Sequence, residues 1–263
     1  MKTMSMSEYR NHSSLSSSDV KHADKSMKHF ELYVLNKTLE DPSSKVLDFG
    51  TCAHALMLEH KVEWTQALEI NKNTKEYKTW AAQHEDKIIL DKKEIEKLSR
   101  MKLEFDQNPM AFAALQGAMI EKSFFGNVCG LDLKARPDVI QKKPDGRILI
   151  ADYKTTTSAQ LRSFQHTIME YGYHISAAHY IRVCAKDMGV SEDLFDFMWI
   201  AQEKTAPYIV SVFQASKNLL SKAFELHLVL LNKIKTAKDS NLYDAYYDDI
   251  VEIDLPEWVY MRG

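Results

Sequence analysis

The chemistry this sequence offers is concentrated in two short stretches. Asp138 follows Arg136 and Pro137, and 14 positions later Asp152-Tyr153-Lys154 sets a second carboxylate two residues before a lysine. Side chains alternate along a strand, so Asp152 and Lys154 share one face. Between the stretches, Lys143-Pro144-Asp145-Gly146 is a turn signal that folds its flanks into a hairpin and brings Asp138 near Asp152. Two carboxylates and an ammonium meeting at a strand end suit phosphodiester hydrolysis. Hard oxygen ligands hold Mg²⁺, which keeps several waters and takes substrate phosphate. The ion makes a bound water more acidic and neutralises developing charge, and a lysine positions that water or stabilises the transition state. Glu121, the only acidic side chain between Asp106 and Asp132, is the natural extra ligand. An Asp-x-Lys on a strand is common without any activity. What gives this one weight is its combination with Pro-Asp, a hairpin turn, an apolar strand and a following helix.

The elements that must position these groups are legible from pattern. Ser16 and Asp19 form a capping box opening a helix over about 16–39, with Val20, Met27, Phe30, Leu32 and Val34 as apolar surface. Asp41-Pro42-Ser43-Ser44 ends it and caps the next helix, about 45–60, which is apolar on all sides and so largely buried. Residues 1–15, polar and rich in Ser, Met and His, read as a flexible arm before one domain spanning 16–263. Residues 74–107 are charged and helical in pattern, broken by a short strand at 87–90. Asp91 with Glu94 is a second capping box, and Asn108-Pro109 stops that helix and starts another. Strands are predicted at 119–128, 133–141 and 147–154, the last carrying the run Ile148-Leu149-Ile150-Ala151 of a sheet centre. A long helix to about 186, strands at 195–203 and 207–213, a Leu-rich helix at 215–236 and an acidic tail to Trp258 follow. This order predicts an α/β (α+β) fold with a mixed sheet flanked by helices.

Composition narrows the class. Of 263 residues, 45% are hydrophobic and 27% charged, which argues against disorder along the whole length. The net charge of −3 weakens the reading of a protein that coats nucleic acid, but a nuclease needs basic residues only along its DNA track. Cys52, Cys129 and Cys184 are odd in number and none has CxxC spacing, so neither a disulfide framework nor a zinc site is predicted. No apolar run reaches the roughly 18 residues needed to span a bilayer, and no apolar core follows Lys2. A reducing cytoplasm is the expected compartment, with no membrane partner.

Arg136-Pro137-Asp138 with Ile150-Ala151-Asp152-Tyr153-Lys154-Thr155-Thr156 resembles the core of the RecE-type exonucleases (exonuclease VIII) of the PD-(D/E)xK superfamily. The resemblance extends to Ser16-Ser17-Ser18, to Phe49-Gly50-Thr51-Cys52-Ala53-His54-Ala55-Leu56, to Tyr171-Gly172-Tyr173-His174, and to Glu203-Lys204 with Pro207-Tyr208. It implies a restriction-endonuclease-like core. It implies metal binding by Asp138, Asp152 and Glu121, with the Tyr153 carbonyl as a further ligand, Lys154 as the catalytic lysine and His54 at the metal site. Alone, a histidine amid Ala, Leu and Met reads as a core residue; the motif around His54 reverses that. One position departs from the pattern: Ser176 stands where related exonucleases carry a glutamine, too short to reach water or phosphate in the same way.

The activity so implied is Mg²⁺-dependent degradation, with Mn²⁺ expected to substitute, of one strand of linear duplex DNA from its end, 5′ to 3′. The overhang would serve a single-strand annealing recombinase in a bacterial or phage-infected cell, and a ring tetramer is expected by analogy. Lys134 and Arg136 are expected to line a phosphate track, Lys142 and Lys143 less so, and Tyr173 to stack on a base. Two rival readings remain: an end-independent PD-(D/E)xK endonuclease, and a non-catalytic DNA-binding or phage assembly protein on the same fold.

Overall fold

The structure, a computed structural model, describes residues 4–41, 45–85, 87–255 and 260, the side chains of Lys45 and Val46 apart. It opens with α1 (Met6–Asn11), whose capping box pairs Ser5 with Glu8. Ser16 begins α2 (Ser17–Lys25) through the predicted box: the Asp19 N–H donates to Ser16 Oγ, and Asp19 accepts the Ser16 N–H at 2.6 Å. This helix does not run on to 39. Ser26 turns extended and caps a fresh turn, α3 (Met27–Phe30), which passes into a π-helical turn, Glu31–Leu35. The stop and cap read at 42–44 lie outside the described residues. α4 (Lys45–Leu58) carries His54.

Beyond it, β1 (Trp64–Gln66) pairs in parallel with β2 (Ile88–Leu90) across α5 (Lys75–Ala82). α6 (Lys92–Gln107) starts on the Asp91–Glu94 box, and α7 (Pro109–Leu115) on Asn108, whose side-chain oxygen accepts the Met110 and Ala111 N–H groups.

Residues 4–15 are held in place and do not form the loose arm expected. The Leu15 N–H donates to the Asp132 carbonyl and the Lys134 N–H to the Leu15 carbonyl, at 2.9 Å each. The Lys134 ammonium donates to the Tyr9, Arg10 and His12 carbonyls at 2.8, 3.3 and 2.7 Å. A buried ammonium needs acceptors, and the arm's carbonyls supply them.

The expected strands at 119–128 and 133–141 are each split in two. The first becomes β3 (Met119–Ile120) and β4 (Phe124–Val128); the second becomes β5 (Leu131–Ala135) and β6 (Val139–Lys142). Glu121 takes a left-handed φ of 53°, which turns the chain out of the pleat. Pro137 lacks the N–H that would continue the ladder. β4 and β5 therefore leave as a separate hairpin. β7 (Ile148–Thr156), β8 (Phe195–Glu203) and β9 (Val210–Gln214) complete a five-stranded sheet in the order β3-β6-β7-β8-β9. Only β7–β8 is parallel. The fold is thus mixed α+β, a central mixed sheet flanked by helices.

The single long helix predicted before β8 is two, α8 (Leu161–Glu170) and α9 (Tyr173–Met188). Gly172 breaks it at φ 61°, where a Cβ would also sit 3.0 Å from Lys21 Cδ. α10 (Lys217–Ser240) closes the fold, burying the stripe Ala223, His227, Leu230, Leu231 and Ile234 and leaving Leu228 and Val229 exposed.

β7 is buried on both faces. Ile148 and Ile150 join Phe197, Trp199 and Leu231 on one side; Leu149, Ala151 and Tyr153 join Met57, Met101 and Phe105 on the other. Between α9 and α10 runs a buried polar chain. Arg182 Nη1 lies 2.9 Å from His227 Nδ1, His227 Nε2 lies 3.1 Å from His179 Nδ1, and His179 Nε2 lies 2.9 Å from the Lys134 carbonyl. That carbonyl can only accept, so His179 donates through Nε2, His227 donates to His179, and Arg182 donates to His227. Both imidazoles are neutral in this arrangement. Among the described residues, no helix is long and apolar enough to cross a membrane.

Candidate metal centre

Strand register brings the acidic residues together. Ile120 lies opposite Val139 across β3 and β6, so the next residues outward, Glu121 and Asp138, face each other; the Glu121 N–H donates to the Asp138 carbonyl at 3.1 Å. Both sit where the chain leaves the central sheet for the β4–β5 hairpin and returns from it. On the other side of β6, Val139 lies opposite Ala151. This sets Asp138 beside Asp152, as the hairpin reading expected. The Tyr153 N–H donates to Asp138 Oδ2 at 2.7 Å and fixes that carboxylate.

His54 enters from α4. Its Nε2 lies 3.1 Å from Asp138 Oδ1 and 3.3 Å from Glu121 Oε1. The donor atoms of His54, Glu121 and Asp138 lie within 4.8 Å of one another, a set able to hold one cation. Asp152 stands outside that trio, 1% exposed. Lys154 Nζ lies 2.6 Å from its Oδ2, and Asp152 has no hydrogen bond from any other group. A buried carboxylate left in that state is costly. Two carboxylates, an imidazole and a third buried carboxylate beside them, its Oδ1 without a partner, fit a divalent ion with oxygen-rich coordination.

The electrostatics follow from burial and crowding. Burial and the Asp138 charge push Glu121 up to about 7, against His54 and Arg136. Burial disfavours the His54 imidazolium, but Asp138 and Glu121 outweigh it and raise the group to about 9. Asp138 is lowered despite its burial, by the charges of His54 and Lys154 and by its hydrogen bonds. Burial raises Asp152, which Lys154 opposes and Asp138 reinforces. Lys154 is raised although burial works against it, because Asp152 and Asp138 flank it. The carboxylates around Lys154 therefore keep it charged.

Other expected site residues fall differently. Tyr153 reaches the centre through its backbone. Its ring crosses to the opposite core, where its hydroxyl donates to Gln202 Oε1 at 2.6 Å and Gln202 Nε2 donates to the Met101 carbonyl at 2.7 Å. Tyr173 lies beneath Lys154, whose Nζ is 5.2 Å from the ring centroid, with the half-exposed Tyr171 ring stacked alongside. Lys134, expected on a phosphate track, is 5% exposed and its ammonium donates to carbonyls of the arm. Arg136 is withdrawn from a phosphate track as well, paired with Glu121 at 3.0 Å. Lys143 turns to Asp196 at 3.5 Å. Ser176 is buried on α9.

Sequence reading missed Lys21, whose Nζ donates to the Tyr171 carbonyl at 3.3 Å. Burial and the neighbouring Lys154 charge lower its pKa, which puts a second lysine near Lys154 and Asp152. A lysine on an amphipathic helix carries no signal that separates it from a solvated one.

A family model described as "PDDEXK-like domain of unknown function (DUF3799)" matches residues 16–245. The structure is similar over its whole length to the crystal structure of a "putative exonuclease" from Eubacterium rectale, with a TM-score of 0.68, 14% identity and 100% of both chains covered. At that identity the likeness shows the fold. The crystal structure of SSO0001 aligns with a TM-score of 0.30 and 15% identity, over 74% of this chain and 82% of that one. No curated protein matches the chain.

Proposed function

This chain belongs to the PDDEXK-like family whose model it matches, and on that premise we propose that it is a divalent-metal-dependent DNA exonuclease of the RecE type. It would degrade one strand of linear duplex DNA from an end, 5′ to 3′. The observation that carries the reading is the meeting of Asp138, Asp152 and Lys154 with Glu121 and His54 at one sheet junction.

His54, Glu121 and Asp138 would hold Mg²⁺ or Mn²⁺, with Asp152 and the Tyr153 carbonyl as further ligands. When bound, the cation supplies charge neutralisation and a more acidic water. The Tyr153 N–H holds Asp138 Oδ2, which leaves Oδ1 turned to the centre beside His54. Lys154, kept charged by Asp152 and Asp138, donates to the attacking water and orients it toward the phosphorus. Buried Asp152 holds that ammonium in place. The adjoining Tyr173 and Tyr171 rings offer a stacking surface for a base or sugar next to the lysine. The strand left behind would serve a single-strand annealing recombinase, and the working form would be a ring oligomer, a tetramer by analogy.

The test is linear duplex DNA labelled at the 5′ or the 3′ end, incubated with Mg²⁺, Mn²⁺ or EDTA. We expect metal-dependent release of the 5′ label, its loss in Asp152→Asn, and intact covalently closed circles. Cleavage of the circles would make the enzyme an endonuclease. Absence of cleavage under either metal would overturn the nuclease reading.

A further inference from the structure

Arg136 is turned away from solvent: its Nη2 is hydrogen-bonded, while Nε and Nη1 are buried without a hydrogen-bond partner, so Nε meets Glu121 as a charge contact. Its Nε lies 3.0 Å from Glu121 Oε2, its Nη2 donates to the Met4 carbonyl at 3.2 Å, and its guanidinium lies 5.5 Å from the centroid of the Tyr9 ring. The side chains of Arg136 and Glu121 are only 11% and 12% exposed. Glu121 divides its oxygens: Oε1 faces His54 Nε2 at 3.3 Å, and Oε2 faces Arg136. Its left-handed backbone stands outside the pleat, tied to the neighbouring segment by its N–H to the Asp138 carbonyl at 3.1 Å. The guanidinium supplies a hold on its carboxylate, as a buried positive charge 3.0 Å from Glu121 Oε2.

The arm in turn holds the arginine. Lys134 and Arg136, two apart, both face it. Lys134 binds its backbone through the Tyr9, Arg10 and His12 carbonyls, and its Nζ sits 5.0 Å from the same Tyr9 ring. Tyr9 is thus clamped under two cations, one anchoring the arm and one reaching Glu121.

We propose that Arg136 is a positioning residue for the metal centre, and that the N-terminal arm, through Tyr9 and the Met4 carbonyl, is the element that holds it in place. The arm is then part of the metal site despite its distance in sequence from every ligand. This rests on the reading of His54, Glu121 and Asp138 as a cation site.

The test is calorimetric titration of the metal-free full chain with Mn²⁺, alongside thermal melts in EDTA. Partners that orient metal ligands are typically worth about 10- to 100-fold in affinity. Arg136→Met should weaken Mn²⁺ binding by that order, Arg136→Lys should restore part of it, and Tyr9→Leu should weaken it severalfold through a residue that touches no ligand. A merely structural arm would lower the melting temperature and leave the Mn²⁺ affinity alone. Affinity within twofold of wild type in folded Arg136→Lys and Tyr9→Leu overturns the proposal, and this arm stands if Arg136→Met fails to fold. Glu121→Gln separates the two readings: if it binds Mn²⁺ like wild type, the cation site falls and the positioning role falls with it.

Discussion

Acidifying the metal-free protein from pH 7.5 to pH 5 should remove about 4 kcal/mol of stability through two side chains, His179 and His227. Both are fully buried. Burial depresses His179 from 6.5 to about 4, against its bond to the Lys134 carbonyl. Burial, then the charges of His179 and Arg182, depress His227 to about 2. The unfolded chain therefore binds protons that the folded chain refuses. Their contribution is whole above about pH 6.5 and is lost as pH falls through that value toward the folded pKa. At pH 5 each histidine costs about 2 kcal/mol, and the combined slope approaches about 2.7 kcal/mol per pH unit. Against a typical total of about 5–15 kcal/mol this is a large share. Urea unfolding at pH 7.5, 6 and 5 in EDTA measures it. His227→Gln keeps a donor toward His179 and an acceptor for Arg182 but cannot titrate, so its slope should be shallower by about 1.4 kcal/mol per pH unit. Identical pH dependence in wild type and His227→Gln would refute the reasoning, since groups elsewhere, such as His22 and His54, cancel in the comparison.

Lys154→Ala should lose at least about 100-fold of the cleavage rate, with circular dichroism unchanged; a folded variant near wild-type rate removes the lysine from the chemistry. Tyr153→Phe strands Gln202 Oε1 in the core and should cost about 1–3 kcal/mol in urea unfolding with Mn²⁺ affinity preserved, because that residue meets the centre through its backbone. Gly172→Ala puts a Cβ at left-handed φ, 3.0 Å from Lys21 Cδ, and should cost about 1–2 kcal/mol, measured by the same unfolding.

Much of the scaffold could be read from local chemistry. The Ser16 and Asp91 capping boxes are short-range devices and form as written. The turn at 143–146 sets a register that carries Asp138 to Asp152. What escaped depends on tertiary placement. Nothing about glutamate favours positive φ, so the break at Glu121 leaves no mark in sequence. Pro137 did carry a signal, since proline cannot donate within a ladder, and reading 133–141 as one strand ran against it. Gly172 was likewise a break within a helical pattern. β1 is three residues long, too short for any period to show. The basic run Lys134–Arg136 reads as surface charge until the arm that buries it is in place. His54 lies on a helix apolar on all sides, where only the surrounding motif marked it.

The reacting groups are unequally anchored, and this follows from the place of β7 in the sheet. Asp152 and Lys154 lie on the middle strand, which pairs with β8 along its whole length and with β6 as far as Ala151, and has a core on each face. Its amides belong to the class that exchanges with solvent only on global opening. His54 rides on α4, outside the sheet, and Glu121 just past the two-residue edge strand β3. Hydrogen exchange should accordingly divide one centre into a slow half and a fast half. Any breathing that admits or releases a ligand then proceeds by α4 and the edge strand moving away from a fixed carboxylate and lysine.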